Sequence, residues 1–541
     1  MRLNKLKRKS LTMLVTALSW GLATMAQTAT YGPNPPASAA SVSPPSGPVW
    51  QNPTYAEVQD GRYAEIDVPV GESSQNLCTY HFAFNVPSSA VISGIQVDIK
   101  GTQQGANGAV DAIEVQLQQS GIDSLVGTPK WTNLPKELSF ITLGGPGDLW
   151  GASNWTASIT NGTDFGVCIS GVVPSRAISS LLGNVDFVRV TVYTHTPQIV
   201  LLGDRYSPPS DPGTYEIYND TPVLLQTGML ANPLANHTAT PLANGNLFVA
   251  GGAFDTTLWQ IFSVSTGQIQ ILSSGLLQDS RDYSVAVLLG NGNVFLGGGA
   301  ISAGTWEIHS PTGALVSFGD LTGDRTAGAT AIILKNGNIW ISGSATTNPD
   351  ACTWEILDVN GNPVSSGSLN TCFAGGKVEI LANGNFILLG GDNAPGAYEI
   401  YTETGTRVVT GSLINGFNHG ATAVSLNGGS QVFIFGSCTS GSEPGDPYHV
   451  PSCSTFGAIG TWELLGFDSN SNKTSDTTGS LADSRGGARA VVTSTGNIFI
   501  SGGDFAPQTW EMWTPSGTTV TLHGQGELNG TRYGGHTSSR F

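Results

Sequence analysis

The chain has 541 residues, of which only 11% are charged, and its 22 basic and 39 acidic side chains give a net charge of −17. This acidic balance argues against nucleic acid as a partner, because phosphate binding needs a basic surface. The 71 glycines and the lack of a long amphipathic helical pattern predict an all-β chain, long enough for two to four domains.

Residues 1–26 have the pattern of a secretory signal peptide. Five basic residues among the first nine precede an apolar run over 11–23 and a small-residue cleavage site at 24–26. A membrane anchor is the alternative, but the run is short for a span of about 20 residues. No later segment predicts a transmembrane helix. We therefore expect a secreted, periplasmic or cell-surface protein, which after cleavage carries 17 basic and 39 acidic residues, near −22.

Two segments follow the signal peptide. Residues 27–48 are rich in Pro, Ala and Ser, which predicts an exposed linker without a core of its own. Residues 49–196 contain alternating or apolar segments bounded by turn residues, at 78–86, 91–99, 112–117, 165–169 and 185–193. This pattern predicts a β-sandwich domain over 49–196.

Residues 197–541 contain a repeat. Seven times an apolar run ends in glycine, and an aromatic residue then stands beside an acid or an amide. The pairs are Tyr215-Glu216, Trp259-Gln260, Trp306-Glu307, Trp354-Glu355, Tyr398-Glu399, Trp462-Glu463 and Trp510-Glu511, at steps of 44, 47, 48, 44, 64 and 48. A period of this length is typical of the blades of a β-propeller.

One unit explains the pattern physically. In residues 242–252, Asn244-Gly245 suits a hairpin turn whose two central residues need positive φ. The apolar run 247–250 is too short for a helix and suits a strand buried on both faces, and the glycines after it allow close backbone approach. Because the Trp-Glu pairs recur with the unit, we expect them to pack between blades rather than to stack on sugars.

The two ends of the repeat complement each other. The first unit starts at 199–203 without the strand that precedes the apolar run elsewhere, and residues 532–537 match the start of a unit. We therefore expect the C-terminal strand to complete the first blade and to close a seven-bladed ring. Closure removes the exposed sheet edges that promote aggregation.

These units, which read roughly R-x-x-x-H-T-A…N-G…G-G…W-E, resemble the kelch repeats of the galactose oxidase-like propeller superfamily over residues 197–541. The unit before them is similar, through Trp50, the run 147–151 and the final strand 188–193, to a jelly-roll-like module of bacterial surface and phage-associated proteins. The resemblance implies an all-β fold with an N-terminal β-sandwich followed by a seven-bladed kelch-type β-propeller. It does not by itself imply an activity.

The six cysteines divide by domain. Cys78 and Cys168 lie in the predicted sandwich, Cys352 and Cys372 in one repeat unit, and Cys438 and Cys453 in the insertion that lengthens one step to 64. An exported chain with an even number of cysteines favours disulfides, and domain membership favours these three pairs among the 15 possible connectivities. Metal ligation is the alternative, but no C-x-x-C spacing occurs.

The resemblance also implies where a ligand would bind. In kelch-type propellers the first strand of each blade lines the central channel, and on or just before that strand stand His237, Arg281, Arg325, His419, Arg485, Arg489, Arg532 and His536. One hypothesis makes these side chains a ring of donors for a sugar or an acidic ligand. The other makes them structural, since recurrent Arg or His side chains also satisfy backbone carbonyls between blades.

The best-known activity of the superfamily is copper-radical oxidation of alcohols, which needs two tyrosines, a cysteine cross-link and two histidines. Tyr448-His449 resembles one such pair, but it lies off the matching strand, and the predicted disulfides leave no cysteine free. We therefore predict no catalytic site, no metal and no other cofactor. The expected function is non-catalytic binding or adhesion to a glycan or a surface protein, and the alternatives are a carbohydrate-active enzyme and a structural envelope component.

Overall fold

The computed structural model describes residues 29–540 apart from 44, 89, 106–111, 120–124, 153–154, 196, 205–212, 265–268, 346–347, 440–452, 454–456 and 535. The chain is nearly all β in these ranges. The predicted signal peptide, residues 1–26, lies outside the described residues. Within them, no helix has the length and apolarity that crossing a bilayer requires.

Among the described residues, ten strands form the N-terminal unit. The helical segments of this unit and of the repeat region are all short. The strands are β1 Ala29–Asn34, β2 Ser38–Val42, β3 Ala64–Val68, β4 Asn76–Tyr80, β5 Val91–Gly105, β6 Ile113–Gln118, β7 Leu125–Thr132, β8 Ser139–Gly145, β9 Gly166–Gly171 and β10 Leu181–His195. The helical segments are α1 Ala157–Thr160 and the 3-10 turns Pro53–Glu57, Pro349–Cys352 and Asn427–Gly429.

These ten strands make two sheets of five strands over one core. The first sheet has the order β1-β10-β5-β8, with β3 also paired to β10, and the second has the order β2-β4-β9-β6-β7. Val97 of β5 and Val115 of β6 belong to the same buried cluster, together with Trp50 and Trp150. Residues of the two sheets therefore share one buried core.

Two strands occupy half of the predicted linker, which is wrong over those residues. Strands β1 and β2 lie within residues 27–48, where β1 pairs with β10 and β2 pairs with β4. Both are edge strands of their sheets. Proline is tolerated at an edge because one side of the strand needs no hydrogen-bond donors, so a Pro-, Ala- and Ser-rich composition does not exclude a strand there.

The repeat region supplies 28 further strands. In chain order they are β11 Gln198–Leu202, β12 Thr214–Asn219, β13 Leu224–Met229, β14 Thr238–Pro241, β15 Asn246–Ala250, β16 Leu258–Ser263, β17 Gln270–Leu276, β18 Val285–Leu288, β19 Val294–Gly297, β20 Thr305–His309, β21 Leu315–Asp320, β22 Thr330–Ile333, β23 Ile339–Ser342, β24 Thr353–Leu357, β25 Pro363–Ser368, β26 Lys377–Ile380, β27 Phe386–Leu389, β28 Ala397–Tyr401, β29 Arg407–Ser412, β30 Thr422–Leu426, β31 Gln431–Cys438, β32 Ala458–Phe467, β33 Lys473–Ser480, β34 Arg489–Val492, β35 Ile498–Ser501, β36 Thr509–Ser516, β37 Thr519–Glu527 and β38 Thr537–Arg540.

In the described part of the chain these strands form seven four-stranded antiparallel sheets. Sheet 1 has the order β38-β11-β12-β13, and sheets 2 to 7 are consecutive meanders that begin at β14, β18, β22, β26, β30 and β34. The first strand of each sheet contacts the first strand of the next, and β38 contacts both β34 and β14. The contacts therefore close into a ring around the first strands, an arrangement that resembles a β-propeller.

The end of the chain completes sheet 1. Strand β38 pairs antiparallel with β11, with Ile199 opposite Arg540 and Leu202 opposite Thr537, which is the pairing that the sequence predicts. A buried cluster joins Ile199 of sheet 1 to Phe499 of sheet 7. Sheets 1 and 7 therefore share a buried apolar cluster, as other pairs of neighbouring sheets do.

The periodic aromatic residues pack between sheets. The Trp259 ring lies against Gly275 on the neighbouring strand and against Gly313 in the turn of the next sheet, so neither position has room for a Cβ atom. Trp306 repeats this contact with Gly319 and Gly361. These positions therefore need glycine, because the aromatic side chain occupies the space beside the backbone.

Candidate functional site

Four of the arginines predicted to bind ligand are instead buried at the junctions between sheets. The carbonyl of Arg281 accepts a hydrogen bond from Gly252 N of sheet 2 (2.8 Å), and its guanidinium donates to Gly298 O (3.0 Å) and Glu307 Oε1 (2.9 Å) of sheet 3. Arg281 is completely buried. One residue therefore fastens two sheets together, and we call this arrangement a junction staple.

The other three arginines form the same staple. Arg325 pairs with Glu355 (3.0 Å), Arg485 with Glu511 (2.9 Å) and Arg532 with Glu216 (3.0 Å), and all four guanidinium groups are fully buried. The prediction that Arg281, Arg325, Arg485 and Arg532 line the channel face is corrected. They recur because each junction has the same backbone carbonyls to satisfy.

His536 is also structural. Its ring is fully buried, with Nδ1 bonded to Tyr533 O (2.6 Å) and Nε2 bonded to Ser501 Oγ (3.1 Å). Burial and the nearby charge of Arg489 hold the pKa of His536 well below its usual value. With both nitrogens engaged inside the protein, His536 is not a ligand donor, and that prediction is corrected as well.

Three junctions lack the arginine. Leu234, Phe373 and Phe417 take its place, and the acceptor residues opposite them are Gln260, Glu399 and Glu463. At the junction where Leu234 replaces the arginine, the glutamate is also replaced, by the neutral amide Gln260. Glu463 keeps its carboxyl group, which accepts from Ile414 N (3.0 Å) and Asn415 N (2.9 Å).

The Glu463 carboxyl group, at the junction where Phe417 replaces the arginine, makes the stability of the fold depend on pH. Burial, only partly offset by the two backbone N–H groups, raises the pKa of Glu463 to about 7. Glu307 shows the contrast: burial would raise its pKa too, but His309, Arg281 and two backbone N–H groups hold it at about 2. The folded chain therefore binds the Glu463 proton more tightly than the unfolded chain, whose value is near 4.5.

We expect this proton to stabilise the fold fully below about pH 4.5 and to lose that effect as pH rises through about 7. Glu463→Gln should flatten that part of the dependence, because an amide has no proton to lose. The measurement is the urea unfolding midpoint of both proteins between about pH 5 and pH 8. Glu527→Gln, at an exposed position of β37, is the control, and parallel curves for wild type and Glu463→Gln would contradict the assignment.

The residues that face the channel mouth occupy fixed places in each unit. Two residues before the first strands β14, β18, β22, β26, β30 and β34 the backbone has positive φ, between 55° and 99°. Glycine fills this place in four of the six sheets, at Gly328, Gly375, Gly420 and Gly487. The exceptions are Asn236 (φ 55°) and Tyr283 (φ 57°). A bulky residue with positive φ is an outlier that often marks a functional site.

A second fixed place is the first residue of each inner strand. Threonine fills it at Thr238, Thr330, Thr422 and Thr537, and valine at Val285. Lys377 begins β26 and Arg489 begins β34. Two of the seven first-strand positions thus carry a cation where the unit otherwise has a small neutral side chain.

The residues that depart from the repeat at these two places, Asn236, Tyr283, Lys377 and Arg489, line one cavity at the mouth of the ring. It has a volume of about 150 Å³, and its lining includes His237, Tyr283, Lys377, His419 and Arg489. At ~30 Å³ per molecule it has room for about five waters, or for a small polar group of a larger ligand. Small residues from the remaining units, such as Gly328 and Gly534, form the rest of the wall.

His419 is held by a carboxylate. Asp392 Oδ1 accepts hydrogen bonds from His419 Nδ1 (2.6 Å) and from His419 N (3.0 Å). A carboxylate only accepts, so Nδ1 carries the hydrogen of this bond, and in the tautomer with a single ring hydrogen Nε2 carries a lone pair. His419 is only 4% exposed, and Nε2 has no partner among the described residues. A buried nitrogen without a partner in a cavity wall suits a ligand contact.

His237 lies across the cavity in sheet 2. Its Nε2 bonds to Thr537 Oγ1 (2.9 Å), and its Nδ1 has no partner within the described ranges. Burial and the charge of Arg489 lower the pKa of His237 to about 3, so the ring is neutral. His237 and His419, both predicted at the channel face, line this cavity, and their role in ligand binding stays a prediction.

Lys377 and Arg489 make the mouth locally positive. The Arg489 guanidinium donates to the carbonyls of His536 (3.0 Å) and Gly534 (3.1 Å), and no carboxylate of the described residues lies within ion-pair distance of Arg489 or Lys377. Burial and the Arg489 charge lower the pKa of Lys377 to about 8, so the ammonium group is still mostly charged at neutral pH. Glu379 lies two residues after Lys377 on β26. It offsets the charge of Lys377 only in part, because burial raises the pKa of Glu379 to about 7 and the carboxyl group is therefore not fully ionised at neutral pH.

All three predicted cysteine pairs are at disulfide distance, and one of them borders the mouth. Cys78 is joined to Cys168, Cys352 to Cys372, and Cys438 to Cys453. Cys438 N donates to His419 O (3.1 Å), so the third disulfide supports the turn that carries His419. Tyr448-His449, the pair that resembles part of a copper site, lies outside the described residues.

Sequence reasoning missed Lys377, Asp392 and Tyr283. For Lys377 and Tyr283 the repeat itself held the signal, because they depart from the Thr and the Gly that most other units have at the same places. Over the described ranges, no group of three or more His, Cys, Asp or Glu side chains is arranged to hold a metal ion. The mouth is therefore a polar site with two cationic side chains, two imidazoles and one carboxylate that is engaged by His419.

Comparison with known proteins gives only general likenesses. No family model matches the chain, and no curated protein matches it. A functionally unknown protein from Desulfotomaculum acetoxidans is 14% identical with a TM-score of 0.43, covering 63% of this chain and 98% of its own. A protein from Lactobacillus plantarum is 11% identical with a TM-score of 0.45, covering 64% and 99%.

A copper-bound fungal alcohol oxidase of the AA5 family is also similar. It is 17% identical with a TM-score of 0.43, covering 56% of this chain and 67% of its own. Likenesses at this level of identity carry no argument about activity. The function has to be inferred from the mouth itself.

Proposed function

We propose that this chain is an exported binding protein that captures an anionic group of a surface glycan at the channel mouth. In this proposal, residues 49–196 with β1 and β2 form a jelly-roll-like β-sandwich, and residues 197–541 form a seven-bladed kelch-type propeller closed by β38. Three disulfides favour an oxidising, extracytoplasmic location.

The observation that carries the proposal is the sign of the charge at the mouth. The chain as a whole has a net charge of −17, yet Lys377 and Arg489 line the cavity, and no carboxylate of the described residues lies within ion-pair distance of either. Charge-assisted hydrogen bonds are about twice as strong as neutral ones. A ligand with a carboxylate or sulfate would be bound by these cations, while His237 Nδ1 and His419 Nε2 would contact its hydroxyl groups.

The test is calorimetric titration of the purified chain with acidic and neutral oligosaccharides found by a glycan array. We expect acidic glycans to bind, and Lys377→Ala and Arg489→Ala each to weaken binding roughly 10- to 100-fold, since a hydrogen bond to a charged group contributes about 1.5–3 kcal/mol. Lys335→Ala and Arg407→Ala, at exposed positions, are the matched controls.

Two outcomes would count against the proposal. Binding of neutral glycans with the same affinity as acidic ones would contradict the role of the cations. Undiminished binding by both mouth variants would place the ligand elsewhere on the protein. Circular dichroism of each variant separates loss of the site from loss of the fold.

A further inference from the structure

We propose that the mouth also performs chemistry: His419 acts as the general base in a β-elimination that cleaves a 4-linked polyuronate chain. This inference rests on the proposed function, because the uronate carboxylate is the anionic group that Lys377 and Arg489 would bind. It adds a reaction to a site otherwise assigned only to binding.

The Asp392–His419 pair has the form of an oriented general base. Asp392 fixes the ring through Nδ1 and holds the backbone of the same residue, so the lone pair of Nε2 has a fixed direction. In general, a base that is oriented by a third group is the arrangement that proton abstraction needs. The ring is buried and Nε2 makes no bond among the described residues, so no internal partner competes for that lone pair.

The two cations flank this base. A Cβ atom on Gly375 would lie 2.9 Å from the Cβ of His419, and Gly375 precedes Lys377 by two residues. On the other side, a Cβ atom on Gly420 would lie 3.0 Å from Gly487 N, two residues before Arg489. His419 therefore lies between the units that supply Lys377 and Arg489. Two cations on a carboxylate stabilise the negative charge that develops when the adjacent carbon loses its proton.

Tyr283 is the candidate proton donor. It lines the same cavity, and its φ of 57° holds a bulky side chain where most other units have glycine. Arg489 lines the same cavity and interacts electrostatically with Tyr283. Backbone strain of this kind costs about 1–3 kcal/mol and persists where the surrounding structure imposes it, which favours a positioned functional group.

The reaction balances without a cofactor. His419 Nε2 takes the proton from C5 of the uronate, the electron pair forms the C4=C5 double bond, and the C4–O bond breaks. The departing oxygen takes a proton from the Tyr283 hydroxyl, and solvent returns the proton from His419 to Tyr283. One chain becomes two, of which one ends in an unsaturated uronate, and no water or oxidant is consumed.

Hydrolysis of a glycosidic bond fits the site less well. That chemistry ordinarily needs two carboxyl groups on either side of the bond. Among the described lining residues the only carboxyl group is that of Asp392, and it is engaged by His419. A base beside two cations, with no second carboxyl group, suits removal of a carbon-bound proton next to a carboxylate.

The test is incubation of the purified chain with polygalacturonate, alginate and, as an anion without a uronate, dextran sulfate. We expect one of the polyuronates to gain the ultraviolet absorbance of unsaturated chain ends and to shorten. His419→Gln should lower this rate by about 10²- to 10⁴-fold while calorimetric binding remains. Asp392→Asn should lower the rate with little change in KM, and His523→Gln, at an exposed position of β37, is the matched control.

A second readout isolates proton abstraction. In deuterium oxide, residual polyuronate should take up deuterium at C5 with the wild-type chain and not with His419→Gln. Binding of polyuronates without unsaturated ends or exchange would overturn the general-base assignment and leave the proposed function standing. Binding of dextran sulfate alone, or unsaturated ends that persist in His419→Gln, would overturn it as well. No binding to any acidic glycan would overturn both proposals.

Discussion

Replacing Arg281 by leucine should lower the free energy of unfolding by about 3–5 kcal/mol, the effect of breaking a buried ion pair from one side. Arg281 and Glu307 are both completely buried, and the variant would leave the Glu307 carboxylate without its cation. The variant would also lose the bonds to Gly298 O and Thr305 O, of which Thr305 O keeps the bond from Gly298 N.

A second substitution should recover much of this loss. The junction between sheets 1 and 2 has Leu234 and Gln260 where the next junction has Arg281 and Glu307. The double variant Arg281→Leu with Glu307→Gln copies that natural solution, and replacing a whole buried pair by neutral groups is often close to neutral. The chain thus supplies its own precedent for the rescue.

The measurement is urea unfolding combined with hydrogen exchange of β18 to β20, because a chain of this size need not unfold in one step. Arg407→Leu, at an exposed position on β29, is the control and should change stability by less than about 0.5 kcal/mol. A loss below about 1 kcal/mol for Arg281→Leu would show that the staple is not an important contact. A double variant no more stable than the single one would show that the buried charge is not the cause.

The sequence predicts the strands of the repeat well because their signals are local. Asn244-Gly245 determines a turn, the run that follows it is apolar, and the aromatic residue at 259 needs glycine beside it. Such features depend on a few neighbouring residues and recur in every unit. The pairing of β38 with β11 follows from the same repeat, since residues 532–537 are the start of a unit whose remainder lies at 199–203.

The direction of the arginine side chains could not be read from the same pattern. A recurrent arginine before the first strand looks the same in sequence whether it turns towards the channel or into the junction. The deciding group is Glu307, which is 26 residues away from Arg281 and belongs to the next sheet. Periodicity in fact favoured the structural hypothesis, because a ligand seldom contacts every unit, and the residues that break the period are the ones at the mouth.

Strands β1 and β2 escaped prediction for a different reason. Their composition is that of a linker, and what makes them strands is the pairing with β10 and β4, more than 30 residues away in sequence for both. Edge strands are under weaker compositional constraint than central ones, since one side needs no hydrogen-bond partners. The central strand β5, which is apolar on one face, was recognisable from its own residues.

The mouth shows how a repeat acquires a site. The regular unit offers glycine and threonine at the mouth, and these leave a wide, neutral opening. Substitutions in single units then add Lys377, Arg489 and Tyr283 at those places, while the junction staples keep the frame unchanged. Position in the unit is therefore a better guide to function here than residue type.

Removal of residues 537–541 should have the other large effect, on the order of 5 kcal/mol or complete loss of the folded ring. Strand β38 is the inner strand of sheet 1, and its loss would leave β11, whose five residues are all buried, as an open edge. Each ladder hydrogen bond contributes about 1 kcal/mol, and the contacts of β38 with β14 and β34 would be lost as well. An exposed apolar edge also promotes aggregation.

Adding the missing strand β38 as a separate peptide tests this prediction directly. A synthetic peptide of residues 537–541 should raise the unfolding midpoint of the truncated chain towards that of wild type as its concentration rises, as expected for a ligand that binds only the folded state. A peptide of the same composition in scrambled order is the control.

The same truncation also tests whether closure of the ring by β38 supports the ligand site at the mouth. Thr537 bonds to His237 Nε2, and β38 lies against β34, which begins with Arg489. Binding of the anionic ligand should therefore fall when β38 is removed and return when the peptide is added. If the truncated chain unfolds at the wild-type midpoint, the ring does not depend on β38. If the truncated chain binds the ligand with unchanged affinity, the ligand site lies away from the junction of sheets 1, 2 and 7.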